Sequence, residues 1–308
     1  MITRRKMLQI PAVTLALPSM GLLAADPTPN APALDARPIP STGELIPAVG
    51  MGTSRTFNTD ANGAALQNLT AVMRAFSAGQ GTVIDSSPMY GQAEERVGDV
   101  LRSLTPRPAV FAATKVWTEG KAEGIAQMET SATRMGVDRF DLIAVHNLKD
   151  WKTQLQTLKE WKAAGKVRYI GITTSHGRAH DEFLQIMQSE PLDFVQFSYN
   201  IQDRFAEQRL FPTARDRGIA VMVNRPFQRG ELFSKVKGKP VPEFAREFNC
   251  HTWGQFFLKF ALSEPGATCV IPASSKVEHM IDNMGANFGR MPTTVERIKM
   301  VRAALKSF

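Results

Sequence analysis

Two kinds of apolar patterning alternate along this chain. Short runs rich in Val, Ile, Phe and Ala lie near residues 47–51, 81–85, 109–115, 140–146, 168–172, 193–197, 219–223 and 268–271. Between them, near 62–78, 92–103, 121–135, 152–164, 179–188, 203–217, 251–263 and 276–286, apolar residues recur every three or four positions. A short unbroken apolar run reads as a strand buried on both faces, and a 3.6-residue period as an amphipathic helix. Regular alternation of the two is the pattern of βα units feeding a parallel sheet. Eight of each predict a closed (β/α)8 TIM barrel, one domain over residues 38–308. A doubly wound open sheet would want a glycine-rich fingerprint opening the first helix, and Gly50-Met-Gly52 is too short for one. Outside the alternation, Ile39 to Ile46 predict a hairpin across the barrel's bottom, 228–249 a long connection, and 293–306 an extra C-terminal helix.

The N-terminus stands apart. Residues 1–25 open on the basic Thr3-Arg4-Arg5-Lys6, pass into a mildly apolar stretch from Ile10, and end on Ala24-Ala25. A charged start, an apolar middle and small residues at the end make a removable signal peptide. The paired Arg4 and Arg5 resemble a twin-arginine export signal, which predicts export machinery as a partner and a periplasmic or secreted location. The apolar stretch is shorter than the ~18 residues a spanning helix needs and holds Pro11 and Pro18, so no stable membrane insertion is expected. Residues 26–37, rich in Pro and Ala, read as a linker.

Composition changes this picture little. The formal net charge of +8 invites a nucleic-acid reading, yet three of those charges are Arg4, Arg5 and Lys6. The other basic residues are scattered, with no Lys/Arg stripe interleaved with aromatics, so nucleic acid is not an expected partner. A modest positive field suits a phosphate-bearing ligand. The two cysteines, Cys250 and Cys269, lack zinc-site spacing and flank a helical stretch unsuited to a disulfide, so free buried thiols and no metal site are predicted.

Chemistry enters where the strands end. The runs Gly-Thr-Val-Ile-Asp85, Val-Phe-Ala-Ala-Thr-Lys115 and Asp-Leu-Ile-Ala-Val-His146 each close on a polar residue, and Tyr90 follows five residues after Asp85. Taken singly, each is more often structural: a helix cap, a rim charge, a satisfied core histidine. Together they fall at the carboxyl ends of parallel strands, the face where barrel enzymes carry their chemistry. A phenol has an ordinary pKa near 10, and a lysine held beside it by an aspartate is expected to pull that value toward neutral pH, as a general acid requires. The histidine can hydrogen-bond and orient a carbonyl oxygen. The four make a carbonyl-reducing constellation.

From about Pro38 to Gly289 the chain resembles the aldo/keto reductase superfamily. The resemblance is carried by Ile-Pro-Ala-Val-Gly-Met-Gly52-Thr53, Asp85-Ser-Ser-Pro-Met-Tyr90-Gly, Thr-Lys115-Val-Trp117, Val-His146-Asn, Tyr-Ile-Gly-Ile-Thr173-Thr174, Val-Gln196-Phe-Ser-Tyr-Asn200, and Ile271-Pro-Ala-Ser274-Ser-Lys276 leading to Asp282-Asn283. It implies a nicotinamide cofactor, NADP(H) favoured with NAD(H) an alternative. Tyr90 would be the acid, Lys115 and Asp85 its tuners, and His146 the group that binds and orients the small-molecule carbonyl substrate, with Trp117 a wall of its pocket.

The cofactor surface follows from the same resemblance. Gly52, Thr53 and Asp85 would border the nicotinamide, and Thr173 and Gln196 would hold its amide, while Arg225 and the loop through Arg229 would reach over the pyrophosphate. Ser274 and Lys276 would face the adenosine 2′-phosphate beside free helix N–H groups, and Asp282 and Asn283 the adenine. Two positions depart from the family: Thr174 replaces the usual asparagine, and Asn224 stands where an aromatic often stacks on the nicotinamide. These departures support a second reading, a nucleotide-sensing or partner-binding barrel with little turnover, against which the intact quartet argues. Arg55 and Phe57 are further candidate walls, the mouth is expected to be open, and a monomer is expected.

Overall fold

The computed structural model describes residues 34–308, so the predicted signal peptide lies outside the described residues. The chain enters through an antiparallel hairpin, β1 (Ala36–Pro38) against β2 (Leu45–Pro47). Eight strands follow: β3 (Met51–Gly52), β4 (Val83–Asp85), β5 (Phe111–Val116), β6 (Phe140–Val145), β7 (Val167–Thr173), β8 (Phe194–Ser198), β9 (Ala220–Asn224) and β10 (Cys269–Val270). Each pairs in parallel with its neighbour in chain order. Parallel bridges Val49–Val270 and Gly52–Ala273 join the first strand to the last, and the barrel closes. A Cβ on Gly52 would lie 2.8 Å from the Ile271 carbonyl, so this seam needs glycine.

The strands alternate with α1 (Gly63–Ala78), α2 (Ala93–Ser103), α3 (Lys121–Met135), α4 (Trp151–Ala163), α5 (His180–Ser189), α6 (Leu210–Asp216) and, after the short α7 (Glu231–Lys235), α8 (Trp253–Leu262). After β10 come α9 (Val277–Gly285) and α10 (Thr294–Ser307). Caps set their starts: Asn62 accepts from the Ala65 N–H at 2.9 Å, and Thr293 with Glu296 forms a capping box on α10. One apolar cluster fills the space between helices and strands. A second fills the barrel interior, from Ile39 and Ile46 at the bottom through Val83, Phe111, Leu142, Tyr169 and Phe194.

Two boundaries differ from the sequence reading. The linker expected to reach residue 37 ends earlier, because Leu34 bridges Phe288, the Asp35 N–H donates to the Asn287 carbonyl at 2.7 Å, and Arg37 donates to the Ala267 carbonyl at 2.6 Å. The helix expected over 203–217 begins only at Leu210. Pro212 lacks an N–H and is tolerated only in a first turn, which a helix starting at 203 would not allow. Asn200 instead organises the preceding loop, its Oδ1 accepting from the N–H groups of Gln202 and Asp203.

The long connection after β9 is tied down by Lys259 of α8, whose buried ammonium donates to the carbonyls of Phe248, Phe288 and Arg290 at 2.6, 2.7 and 3.2 Å. Cys250 and Cys269 are free and buried, and burial pushes both thiols up to about 12. Among the described residues no helix is long and apolar enough to cross a membrane.

Candidate active site

Period-two alternation decides which strand residues face the barrel interior. Val83 and Asp85 are in phase on β4; Phe111, Ala113 and Lys115 on β5; Leu142, Ala144 and then His146 on and after β6; Phe194, Gln196 and Ser198 on β8. The apolar members pack below and the polar members form the uppermost layer. The residues that end the strands are therefore brought together by the same register that builds the core.

Lys115, wholly buried, donates from Nζ to Asp85 Oδ2 and to the Ser86 carbonyl, both at 2.7 Å. The other carboxylate oxygen, Oδ1, accepts from Gln196 Nε2 at 3.1 Å. A buried ion pair is sustained only when its remaining donors and acceptors are engaged in this way. Burial opposes the ammonium, yet Asp85 and the nearby Tyr90 hold the Lys115 pKa above its ordinary value. The ammonium lies 5.1 Å from the centre of the Tyr90 ring.

Tyr90 ends a short 3-10 turn, Pro88–Tyr90, capped by Ser87, whose Oγ accepts from the Met89 N–H at 3.2 Å. Gly91, at φ +61°, turns the chain away where a side chain would strike Asn58. The expectation that Lys115 would draw the phenol's pKa toward neutrality is corrected. Burial raises it, the Asp85 charge adds to the rise, and Lys115 offsets only part. Tyr90 is thus a fully protonated acid at neutral pH, with a cation beside it to stabilise the phenolate when it forms.

The His146 ring stands edge-on to Tyr90, with centroids 5.8 Å apart at 89°, and Trp117 is 6.5 Å away on another side. Burial, with help from Lys115, lowers the His146 pKa to about 3. Asn147 and Leu148 follow in left-handed conformations, φ +52° and +57°, which cost non-glycine residues about 1 kcal/mol or more each. The Asn147 N–H is held by Thr173 Oγ1 at 3.2 Å. Turnover is expected to show no inflection near the ordinary histidine value of about 6.5, because the ring has already lost its charge far below it. An acid limb centred there in a pH–rate profile would mean that His146 works as a cation.

Around this quartet, Gly52 and Thr53 pack against it, Thr53 Oγ1 donating to the Asp85 carbonyl at 3.0 Å. Gln196, besides meeting Asp85, lies with Oε1 3.4 Å from Asn224 Nδ2. Asn224 also donates to the Thr174 carbonyl at 3.0 Å and accepts from Ser198 Oγ at 2.7 Å, so it knits three neighbouring strand ends together. Thr174 has its hydroxyl on the Arg178 carbonyl at 2.7 Å and lends nothing to the mouth. Arg225 is left-handed, its buried Nε has no partner among the described residues, and burial, Arg229 and Arg55 all lower its pKa. Mutually repelling guanidiniums around an unsatisfied donor fit a pyrophosphate.

At the far end the fit is uneven. Lys276 is exposed at the N-cap of α9, and Asn283 is buried on that helix. Ser274 turns its hydroxyl onto its own loop, donating to the Lys276 carbonyl at 3.0 Å, and both oxygens of Asp282 accept from Thr252 Oγ1 at 2.8 Å. Phe57 is core and not a wall. Sequence reasoning missed Ser87, 2.9 Å from His146 Nδ1, and the exposed Met89 beside Tyr90; both were visible in Asp85-Ser-Ser-Pro-Met-Tyr90 once every residue of that segment is asked for a role.

Comparison with known proteins bears on this arrangement. Residues 48–306 match the model of the aldo/keto reductase family. An aldo-keto reductase of Bacillus subtilis (strain 168) is 30% identical over 214 residues, 64% of this chain and 63% of the relative, so the match spans under two thirds of that protein. An NADH-specific methylglyoxal reductase of Escherichia coli K12 is 30% identical over 196 residues, 53% of this chain and 58% of its own length. Among solved structures, an aldo-keto reductase from Bacillus halodurans in its holo form superposes with TM-score 0.71 at 20% identity, covering 88% of this chain and 96% of that one. An aldo/keto reductase from Klebsiella pneumoniae in complex with NADP and acetate gives 0.67 at 24% identity, covering 85% and 93%. With the family model covering nearly all of the barrel, this chain belongs to the aldo/keto reductase family.

Proposed function

We propose that this protein is an NADP(H)-dependent reductase of aldehydes or ketones, working as a monomer. One observation carries the reading: a protonated Tyr90 and a neutral His146 face each other above a buried Asp85–Lys115 pair. A bound nicotinamide supplies a hydride for the carbonyl carbon. His146 orients the carbonyl oxygen, and Tyr90 gives that oxygen its proton as the C=O electron pair moves onto it. Lys115 then faces the phenolate, and Asp85 keeps Lys115 charged and in place. Thr173 and Gln196 are suited to the nicotinamide amide, and Arg55, Arg225 and Arg229 to the pyrophosphate. All of these groups come from one chain, so the site needs no second copy to be complete. The test is a steady-state assay of NADPH and NADH oxidation against a panel of aldehydes, ketones and quinones. Nucleotide binding without turnover on any of them would favour a binding protein.

Cofactor choice rests on Lys276. Lys276→Ala is expected to weaken NADPH binding roughly ten- to a hundredfold, the worth of a charge-assisted contact, and to leave NADH nearly unchanged. Equal weakening of both would place Lys276 away from the 2′-phosphate.

We further propose that residues 1–25 are a twin-arginine-type signal delivering the protein to the periplasm or beyond. Arg4-Arg5 within a basic start before an apolar stretch supports it. Exchanging both arginines for lysine preserves charge but not guanidinium geometry, so the precursor is expected to accumulate in the cytoplasm. Export at the normal level would overturn the assignment.

A further inference from the structure

We propose that Ser87 is a positioning residue that fixes His146 as the Nε2–H tautomer, so that the imidazole meets the reacting oxygen as a hydrogen-bond donor. This rests on the carbonyl-reducing reading above. Ser87 Oγ lies 2.9 Å from His146 Nδ1, and Ser87 is fully buried. A neutral imidazole has one donor and one acceptor nitrogen, and which is which follows from what each one meets. The serine hydroxyl has a single proton. It already accepts from the Met89 N–H at 3.2 Å, and among the described residues its only other neighbour within hydrogen-bond distance is Nδ1.

Two arrangements are therefore open. If Nδ1 carried the proton and donated to Ser87, the hydroxyl would receive two donors while its own proton, in a buried site, had no acceptor. If the hydroxyl donates to Nδ1, every buried group is satisfied and the ring proton is left on Nε2. Buried polar groups are satisfied in folded proteins because leaving one unmade is costly. The second arrangement prevails. Nε2 has no partner among the described residues and is not shut off from solvent, as a group awaiting a substrate oxygen should be. The opposite tautomer would turn a lone pair toward the carbonyl oxygen and repel it.

The backbone supports this role. Ser87 is extended, φ −166° and ψ 144°, and caps the turn that carries Tyr90. One six-residue segment, Asp85 to Tyr90, thereby holds the lysine, sets the imidazole and delivers the acid.

The test is nitrogen NMR on protein labelled at its five histidines, with His146 assigned by its loss in His146→Asn. Wild type is expected to show Nδ1 bare and Nε2 protonated. Ser87→Ala should shift His146 toward the other tautomer and lower kcat about tenfold, with nucleotide affinity changed by less than about twofold. Ser87→Thr, which keeps the donor, should restore both. If Ser87→Ala does not fold, Ser87→Cys, a weak donor, carries the comparison with Ser87→Thr. A protonated Nδ1 in wild type, or an unmoved tautomer in the Ala or Cys variant, overturns the inference. If the tautomer follows Ser87 while no carbonyl compound is reduced, the reductase reading is what fails.

Discussion

Replacing Tyr90 with Phe is expected to lower carbonyl turnover by about 10²–10⁴-fold, the usual worth of a positioned general acid. The ring's packing against His146, edge-on at 5.8 Å, is retained, and the phenyl face still sits beside the Lys115 ammonium. Nucleotide affinity and unfolding temperature should therefore hardly move. What disappears is the proton for the developing alkoxide, and no other group of the quartet can replace it. Lys115 is locked on Asp85 and the Ser86 carbonyl, and His146 is neutral with its pKa near 3. An interaction made only as the bond rearranges lowers kcat and kcat/KM together, which is the signature to look for in the kinetics. Near wild-type turnover in Tyr90→Phe would remove Tyr90 from the mechanism.

Lys115→Met is expected to strike folding as well as turnover. It leaves the Asp85 carboxylate, 3% exposed, without its cation, and breaking one side of a buried pair costs about 3–5 kcal/mol. For a domain this size that is a fall of roughly 6–20 °C in unfolding temperature. Asp85→Asn combined with Lys115→Met should recover much of the stability, since no charge is then stranded, but none of the activity, since the phenolate still lacks its cation. As a control, Arg209→Ala disrupts an exposed pair with Asp181 and should change stability by under about 1 kcal/mol. Thermal unfolding of the three variants beside wild type decides the matter. A Lys115→Met protein as stable as wild type would mean that the buried Asp85–Lys115 pair contributes nothing to the fold.

The eight strands and the gathering of Asp85, Lys115 and His146 could be read from the chain because one regularity encodes both. Apolar residues in strand phase build the barrel interior, and a polar residue continuing that phase past the last apolar one must stand at the mouth. What could not be read depends on contacts between segments far apart in sequence. The Tyr90 phenol's pKa was expected to fall toward neutrality, whereas burial by its neighbours raises it. The hydroxyl of Ser274 and the carboxylate of Asp282, expected to face a ligand, also engage a local turn and the cap of a neighbouring helix, and no local pattern encodes the second contact. Pro212 could have shortened its helix on paper, because its effect is local. The early end of the linker could not, because Leu34 is held by Phe288 from the other end of the chain.

The strand-end rooting of Asp85, Lys115 and Gln196, with His146 one residue past its own strand, has a consequence for how such a protein diversifies. Their positions are inherited from backbone pairing inside the barrel: Asp85 beside Ala113, Lys115 beside Ala144, Gln196 beside Thr173. The exposed Trp117 sits on the loop that follows β5, outside that pairing. Loops other than the short turns that carry Tyr90 and His146 can be lengthened, exchanged or recoloured chemically while the Asp85–Lys115 pair stays fixed. The groups that would handle the proton and the surfaces that would meet a substrate thus rest on different parts of this molecule, the first on strand ends and the short turns just past them, the second on the outer loops.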